Sequence, residues 1–325
     1  MVTTKYRIAI RDAMSEEMER DPNVLLMGQD IGLSNGLFKL TEGLFERFGP
    51  ERVRDTPISE TATVGAAIGL AMMGFRPIVE IAFSDLILTC FDMVVNQLAK
   101  IPFMFGTQSP KLPVVIRALT GAGLGVGAHH SQSLEALFAH MPGLNVITPA
   151  TPRDAKGLLK AAIRGDRPTL FLEHKMLLRE SGPVPAEDEV GEIGRAEIAL
   201  AGTDITVVSY SATRKISLEA AAELQLAGIS AEVVDLRSIS PMDTDTIITS
   251  VRKTGKLLVV QEAYEPFGVG AEVLARVSSL ALDALKVPPQ RIAAPFTPIP
   301  ANKYLEADYL PSTPQIVGAV KRMLS

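Results

Sequence analysis

Residues 52–81 read RVRDTPISETATVGAAIGLAMMGFRPIVEI, and the pattern of this stretch decides the fold. Residues 52–55 suit a short strand. Ser59 stands where a helix N-cap belongs, and Glu60 follows in the first turn, where the helix dipole favours a carboxylate. From Thr61 to Met73 alanine and glycine dominate, so a helix there can lie close against a neighbour. Residues 77–81 return to the apolar type of strand that is buried on both faces. Strand, helix and strand in that order make a βαβ unit, whose strands run parallel.

The alternation extends in both directions. Ile10, Met14 and Met18 recur at helical spacing until Asp21-Pro22, and Val24-Leu25-Leu26-Met27 is a continuous apolar run closed by Gly28. Downstream, helices are expected at 86–100, 133–140 and 152–163, and strands at 112–117, 145–148 and 169–173. Residues 181–194, SGPVPAEDEVGEIG, are rich in proline, glycine and acids and read as a linker. The pattern then restarts, with strands at 205–210, 231–236 and 256–261 and helices at 216–227, 243–253, 270–285 and 313–324. The expected fold class is α/β, two successive doubly wound parallel-sheet domains at 1–182 and 196–325 joined by a linker at 183–195.

Composition narrows the function. With 47% hydrophobic and 21% charged residues the chain has the profile of a folded soluble protein, and its net charge of -5 is scattered without a basic stripe that would suit nucleic acid. The longest apolar run, about residues 62–75, is broken by glycines and too short to span a bilayer. No secretory signal is legible, so the cytoplasm is the expected compartment. The single cysteine, Cys90, rules out an internal disulfide and reads as a small buried hydrophobe.

Two places could carry chemistry. Residues 121–133 read GAGLGVGAHHSQS, four glycines at alternate positions followed by His129 and His130, after a strand whose carboxyl end is where ligands bind in open parallel sheets. The second is DTPISE at 55–60, where Glu60 serves either the helix dipole alone or a ligand nitrogen. Adjacent His129 and His130 make a poor metal pair, and His140 and His174 lack ligand partners nearby, His174 reading as structural. The spacing Gly123-x-Gly125-x-x-Ala128 resembles a dinucleotide fingerprint only weakly, because it lies far from the first strand. No G-x-S-x-G elbow occurs.

DTPISE, Gly74-Phe75-Arg76-Pro77, the loop ending His130-Ser131-Gln132, Pro142-Gly143-Leu144 and Asp154-Ala155-Lys156-Gly157-Leu158 together resemble one family. So do VVDLR at 233–237, Pro241-Met242-Asp243, GVGAE at 268–272 and TPIP at 297–300. The family is the beta subunits of the pyruvate, acetoin and branched-chain 2-oxo acid dehydrogenases, which depend on thiamine diphosphate. The resemblance implies a transketolase-like pyrimidine-binding domain, a transketolase C-terminal-like domain, and a heterotetramer of two alpha and two beta chains. It implies that Glu60 activates the cofactor's aminopyrimidine and that Ile58, Gln29, Leu86 and His129 surround it. It further implies that His130 moves a proton as the acyl group passes from the 2-oxo acid to the lipoyl group of an acyltransferase component.

The family holds the diphosphate and Mg2+ with a Gly-Asp-Gly motif and an Asn roughly 25 to 30 residues later. Here Gly165-Asp166 is followed by Arg167, so that half is expected from an alpha subunit. The family also binds a monovalent cation such as K+, which would fall on the backbone carbonyls of Val114, Ala162, Gly165 and Arg167. Two positions depart from the pattern. Gln29 stands in Gly28-Gln29-Asp30 where relatives carry Glu, and Leu86 stands where pyruvate and branched-chain types carry an aromatic residue. LEHK, SPMDTDTI, SVRKTG and TPIP lean towards acetoin-type subunits and Ala128-His129-His130 towards branched-chain types, so acetoin or pyruvate is expected ahead of branched-chain substrates. Three other readings stay open: the C-terminal half of a split transketolase, a non-catalytic subunit of the same fold, and a nicotinamide-dependent dehydrogenase resting on the glycine spacing alone.

Overall fold

The computed structural model describes residues 1–186 and 188–325; Glu187, inside the expected linker, lies outside the described residues. Contacts divide the chain into two units, residues 1–120 with 137–193 and residues 121–136 with 194–325. The glycine loop, which the sequence order puts in the first domain, therefore makes its contacts in the second unit.

In the first unit the strands are β1 (Val2–Lys5), β2 (Val24–Gly28), β3 (Val53–Asp55), β4 (Arg76–Phe83), β5 (Val115–Thr120), β6 (Asn145–Ile147), β7 (Thr169–His174) and β8 (Ser181–Val184). The order β6-β7-β5-β4-β2-β3 is parallel throughout. Every residue of β2, β5 and β7 is buried; β2 reads as an unbroken apolar run, while β5 and β7 carry Arg117 and Glu173 inside mainly apolar stretches. Helix Tyr6–Arg20 packs on helix Pro152–Arg164, and buried Glu17 accepts from Arg164 Nη2 at 2.7 Å between them. β1 and β8 pair antiparallel, so the start of the expected linker is a strand.

The helix expected at 86–100 is instead a 3-10 helix at Ser84–Cys90, a π-helix at Met93–Leu98 and a short α-helix at Ile101–Met104. Side-chain donors reach back three residues here, Thr89 Oγ1 to Leu86 O at 2.8 Å and Cys90 Sγ to Ile87 O at 3.3 Å, in step with the tighter turn. Among the described residues, no single helix is long and apolar enough to cross a membrane.

The second unit holds β9 (Glu197–Leu200), β10 (Ile205–Ser209), β11 (Ala231–Asp235), β12 (Ser238–Ser240), β13 (Leu257–Tyr264) and β14 (Gln290–Ala294). Its sheet runs β14-β13-β10-β11-β9, parallel except for the antiparallel edge strand β9. Val207, Val233 and Leu258 from the sheet meet Leu224, Ile316 and Val320 from helices Thr213–Leu226 and Thr313–Leu324 in one core. Helix Val269–Leu280 ends five residues short of the expected 285, where a 3-10 turn at Leu282–Ala284 takes over.

Candidate active site

Three neighbouring strands, β4, β2 and β3, end side by side and deliver chain to one hollow. Gln29 follows β2, Thr56 to Glu60 follow β3, and Leu86 follows β4; all line a recess of about 310 Å³ including its open mouth. Glu60 opens helix Glu60–Met72. Ser59 holds the N-cap position, but its side chain makes no capping bond; its carbonyl instead accepts from Thr63 N at 2.9 Å and Thr63 Oγ1 at 3.0 Å. Thr61 Oγ1 donates to Thr89 O at 3.0 Å, tying this helix to the segment that carries Leu86. Ile58 is 74% exposed, Gln29 is exposed and Leu86 half-buried. Cys90 is buried, and burial, reinforced by the charge of Glu60, pushes its thiol up to about 12. A thiol so raised is protonated at neutral pH and is no nucleophile.

Behind the hollow, Arg117 lies buried between two acids. It gives Nη1 to Glu80 at 2.8 Å and two bonds to Glu173, at 2.7 and 2.9 Å. Burial raises both carboxyls, against the pull of Arg117. Arg117 itself stays firmly charged: burial opposes the charge, but Glu173 and Glu80 outweigh it. The backbone of Leu37 also donates to Glu80. Sequence reading passed over this cluster, although one charge inside each of IVEIA, VVIRA and LFLEH was its signal.

The glycine loop belongs to the second unit, so Glu60 and His130 sit in different units. Gly121, Gly123, Gly125 and Gly127 all have positive φ, between 69° and 107°, which explains their repetition. His130 is half-buried, its backbone N–H donating to Gly127 O at 3.3 Å, while His129 is exposed. His174 is buried and its Nδ1 accepts from Met176 N at 3.2 Å, capping a short turn as a structural residue does.

Three of the four carbonyls expected near a monovalent cation already accept hydrogen bonds. Val114 O accepts from Thr169 N at 2.9 Å, Arg167 O from Thr169 Oγ1 at 3.2 Å, and Gly165 O from Arg76 Nη2. Arg76 also donates to Ile163 O and Arg164 O at 2.7 Å each, capping the carboxyl end of helix Pro152–Arg164, which holds Ala162, with a fixed positive charge.

Comparison with known proteins matches this architecture. The transketolase pyrimidine-binding domain family covers residues 3–181, and the transketolase C-terminal domain family covers residues 194–316. Acetoin:2,6-dichlorophenolindophenol oxidoreductase subunit beta of Cupriavidus necator is 43% identical over 98% of this chain and 96% of its own length. In Bacillus subtilis, 2-oxoisovalerate dehydrogenase subunit beta is 44% identical, over 99% of each chain. Pyruvate dehydrogenase E1 component subunit beta of the same organism is 43% identical, over 97% of each. A solved split-gene transketolase, described as an inactive beta4 tetramer, superposes with a TM-score of 0.80 at 25% identity, covering 98% of this chain and 97% of its own. The chain belongs to the family of the beta subunits of the pyruvate, acetoin and branched-chain 2-oxo acid dehydrogenases.

Proposed function

We propose that this chain is the beta subunit of a thiamine-diphosphate-dependent 2-oxo acid dehydrogenase of the pyruvate or acetoin type. The observation that carries the proposal is the position of Glu60, at the first turn of a helix and on the wall of the hollow where three parallel strands end. The lining suits a flat heteroaromatic ring. Ile58, Ile81, Ala82 and Leu86 supply apolar surface, while Glu60 and Gln29 supply hydrogen-bonding groups.

When bound, thiamine diphosphate supplies a nucleophilic carbon and an electron sink for decarboxylating a 2-oxo acid. Glu60 would hold the aminopyrimidine and share a proton with its ring nitrogen. Ile58 and Leu86 would pack against the ring and keep water from it; leucine does this by contact alone, without stacking. Gln29 offers an amide where relatives offer a carboxylate, so it can hold a ligand but not take up a proton. His130 would move a proton as the acyl group passes to a lipoyl sulfur, with His129 in support.

The diphosphate and its Mg2+ are assigned to an alpha subunit, because Gly165-Asp166-Arg167 lacks the residues that would hold them. The active species is accordingly a heterotetramer of two alpha and two beta chains serving a lipoyl acyltransferase, in the cytoplasm. A monovalent cation such as K+ would use the second lone pairs of the Val114, Gly165 and Arg167 carbonyls, together with Ala162.

The three dehydrogenase relatives, at 43%, 44% and 43%, do not rank the substrate, so turnover must. The test is dye-linked, thiamine-diphosphate-dependent turnover of pyruvate, acetoin and branched-chain 2-oxo acids by the chain co-expressed with its alpha subunit. Turnover of pyruvate or acetoin supports the proposal. A branched-chain preference moves the chain to that type. The likeness to a split transketolase favours a second reading, in which the complex turns over sugar phosphates and none of these acids.

A further inference from the structure

The loop that carries His130 is fastened to its own unit by two acids from separate elements. At its neck, Glu262 Oε1, on β13, accepts from Ala122 N at 2.7 Å and from Ser133 Oγ at 3.3 Å. Gly121 N donates to Gln132 O at 3.3 Å alongside, so the two ends of the loop are closed together. Further along, Gly125 N donates to Glu306 Oε2 at 2.7 Å; Glu306 lies in the first turn of helix Lys303–Tyr309. A Cβ on Gly125 would lie 3.2 Å from Ala301 O, and one on Gly127 would lie 3.4 Å from Ala301 Cβ. The loop thus rests on the segment that leads into Glu306.

Glu306 is an unusual residue to find here. It is 1% exposed, and its second oxygen, Oε1, has no hydrogen-bond partner among the described residues. A buried carboxylate with a single backbone donor is expensive, and a side chain chosen only for stability would be apolar. What Glu306 supplies is a 2.7 Å bond to a backbone that glycine leaves otherwise free to move.

We propose that Glu306 is a positioning residue for His130: its bond to Gly125 N fixes the height of the glycine loop and therefore the place of the imidazole. Glu262 closes the neck and Glu306 sets the crest. The inference rests on the role given to His130 above. It goes further in making acyl transfer depend on a buried acid in the C-terminal domain that acts through the loop backbone.

The test uses the intact alpha–beta complex with Glu306→Ala, Glu306→Gln and His130→Gln. Two rates are compared: reductive acylation of a lipoyl domain, and reduction of an artificial dye, which bypasses the lipoyl group. Misplacing a catalytic group by about an ångström costs ten- to hundredfold, so Glu306→Ala should lower acylation by at least about tenfold while dye reduction changes by less than about threefold. Glu306→Gln keeps an acceptor for Gly125 N and should restore most of the acylation. Amides 122–127 should exchange hydrogen faster in Glu306→Ala and not in Glu306→Gln. Equal losses in both assays, or unchanged acylation with a loosened loop, would overturn the inference. His130→Gln separates the two ideas: if it abolishes acylation while Glu306→Ala does not, only the positioning role fails. If His130→Gln leaves acylation intact, the role of His130 itself is overturned.

Discussion

Arg117 and Glu173 meet as a fork against a fork, Nε to Oε1 at 2.7 Å and Nη2 to Oε2 at 2.9 Å, on adjacent parallel strands buried on both faces. Glu80, on the strand at the other side of Arg117, takes a third bond and also lines the hollow that contains Glu60. The cluster thus joins the middle of the sheet to the wall of the site. Two carboxylates share one guanidinium, so the arginine is the member that cannot be spared.

Replacing Arg117 with Met should destabilise the complex by about 3–5 kcal/mol, because it leaves buried acids without a counter-charge. The loss should depend on pH. Burial already raises Glu80 and Glu173, and a carboxyl with a raised folded pKa contributes stability that is fully present below its unfolded value and is lost as pH rises through the folded one. Denaturant unfolding of Arg117→Met should therefore show a smaller deficit at pH 5 than at pH 8. A deficit that does not change with pH would contradict this account of the cluster.

Cys90 should resist alkylation at pH 8 in the folded protein and react readily in denaturant, since its thiol lies at about 12. The folded value is above the unfolded one, so this group stabilises the fold fully below the ordinary thiol range. That contribution is lost as pH rises towards 12. Iodoacetamide labelling followed by mass spectrometry measures the first part, and melting temperatures above pH 9 the second.

Gly143 has φ +95°, and a Cβ there would overlap the carbonyl oxygen of Ala99. Gly143→Ala should cost more than about 1 kcal/mol, combining a disallowed backbone conformation with a clash against main chain that cannot turn aside. Gly43→Ala is the control, with φ +80° and nothing within 4 Å of its Cβ; it should cost less. Equal losses would show that the contact with Ala99 carries no weight.

The sequence was most legible where burial is two-sided. β2, β5 and β7 carry apolar residues on both faces, and their strand character is visible without knowing their neighbours. β1, β8 and β9 escaped because edge strands such as VTTK, SGPV and EIAL are partly exposed, and SGPV contains a proline. The turn at Ser84–Cys90 was hidden because its apolar residues fit an α-helix equally well. Among the candidate residues, Glu60 and His130 stand in recognisable motifs, but Glu262 and Glu306 have none. Their part depends on meeting loop amides well over a hundred residues away in sequence, which no local pattern encodes.

The most direct test of the central claim is Glu60→Gln in the co-expressed alpha–beta complex, with thiamine diphosphate binding and dye-linked turnover measured on the same sample. On the role proposed for Glu60, losing its carboxyl should lower turnover by at least about a hundredfold while the cofactor still binds. Turnover close to that of the unsubstituted complex, with the cofactor bound, would contradict the assignment of Glu60 and with it the placing of the active site in this hollow.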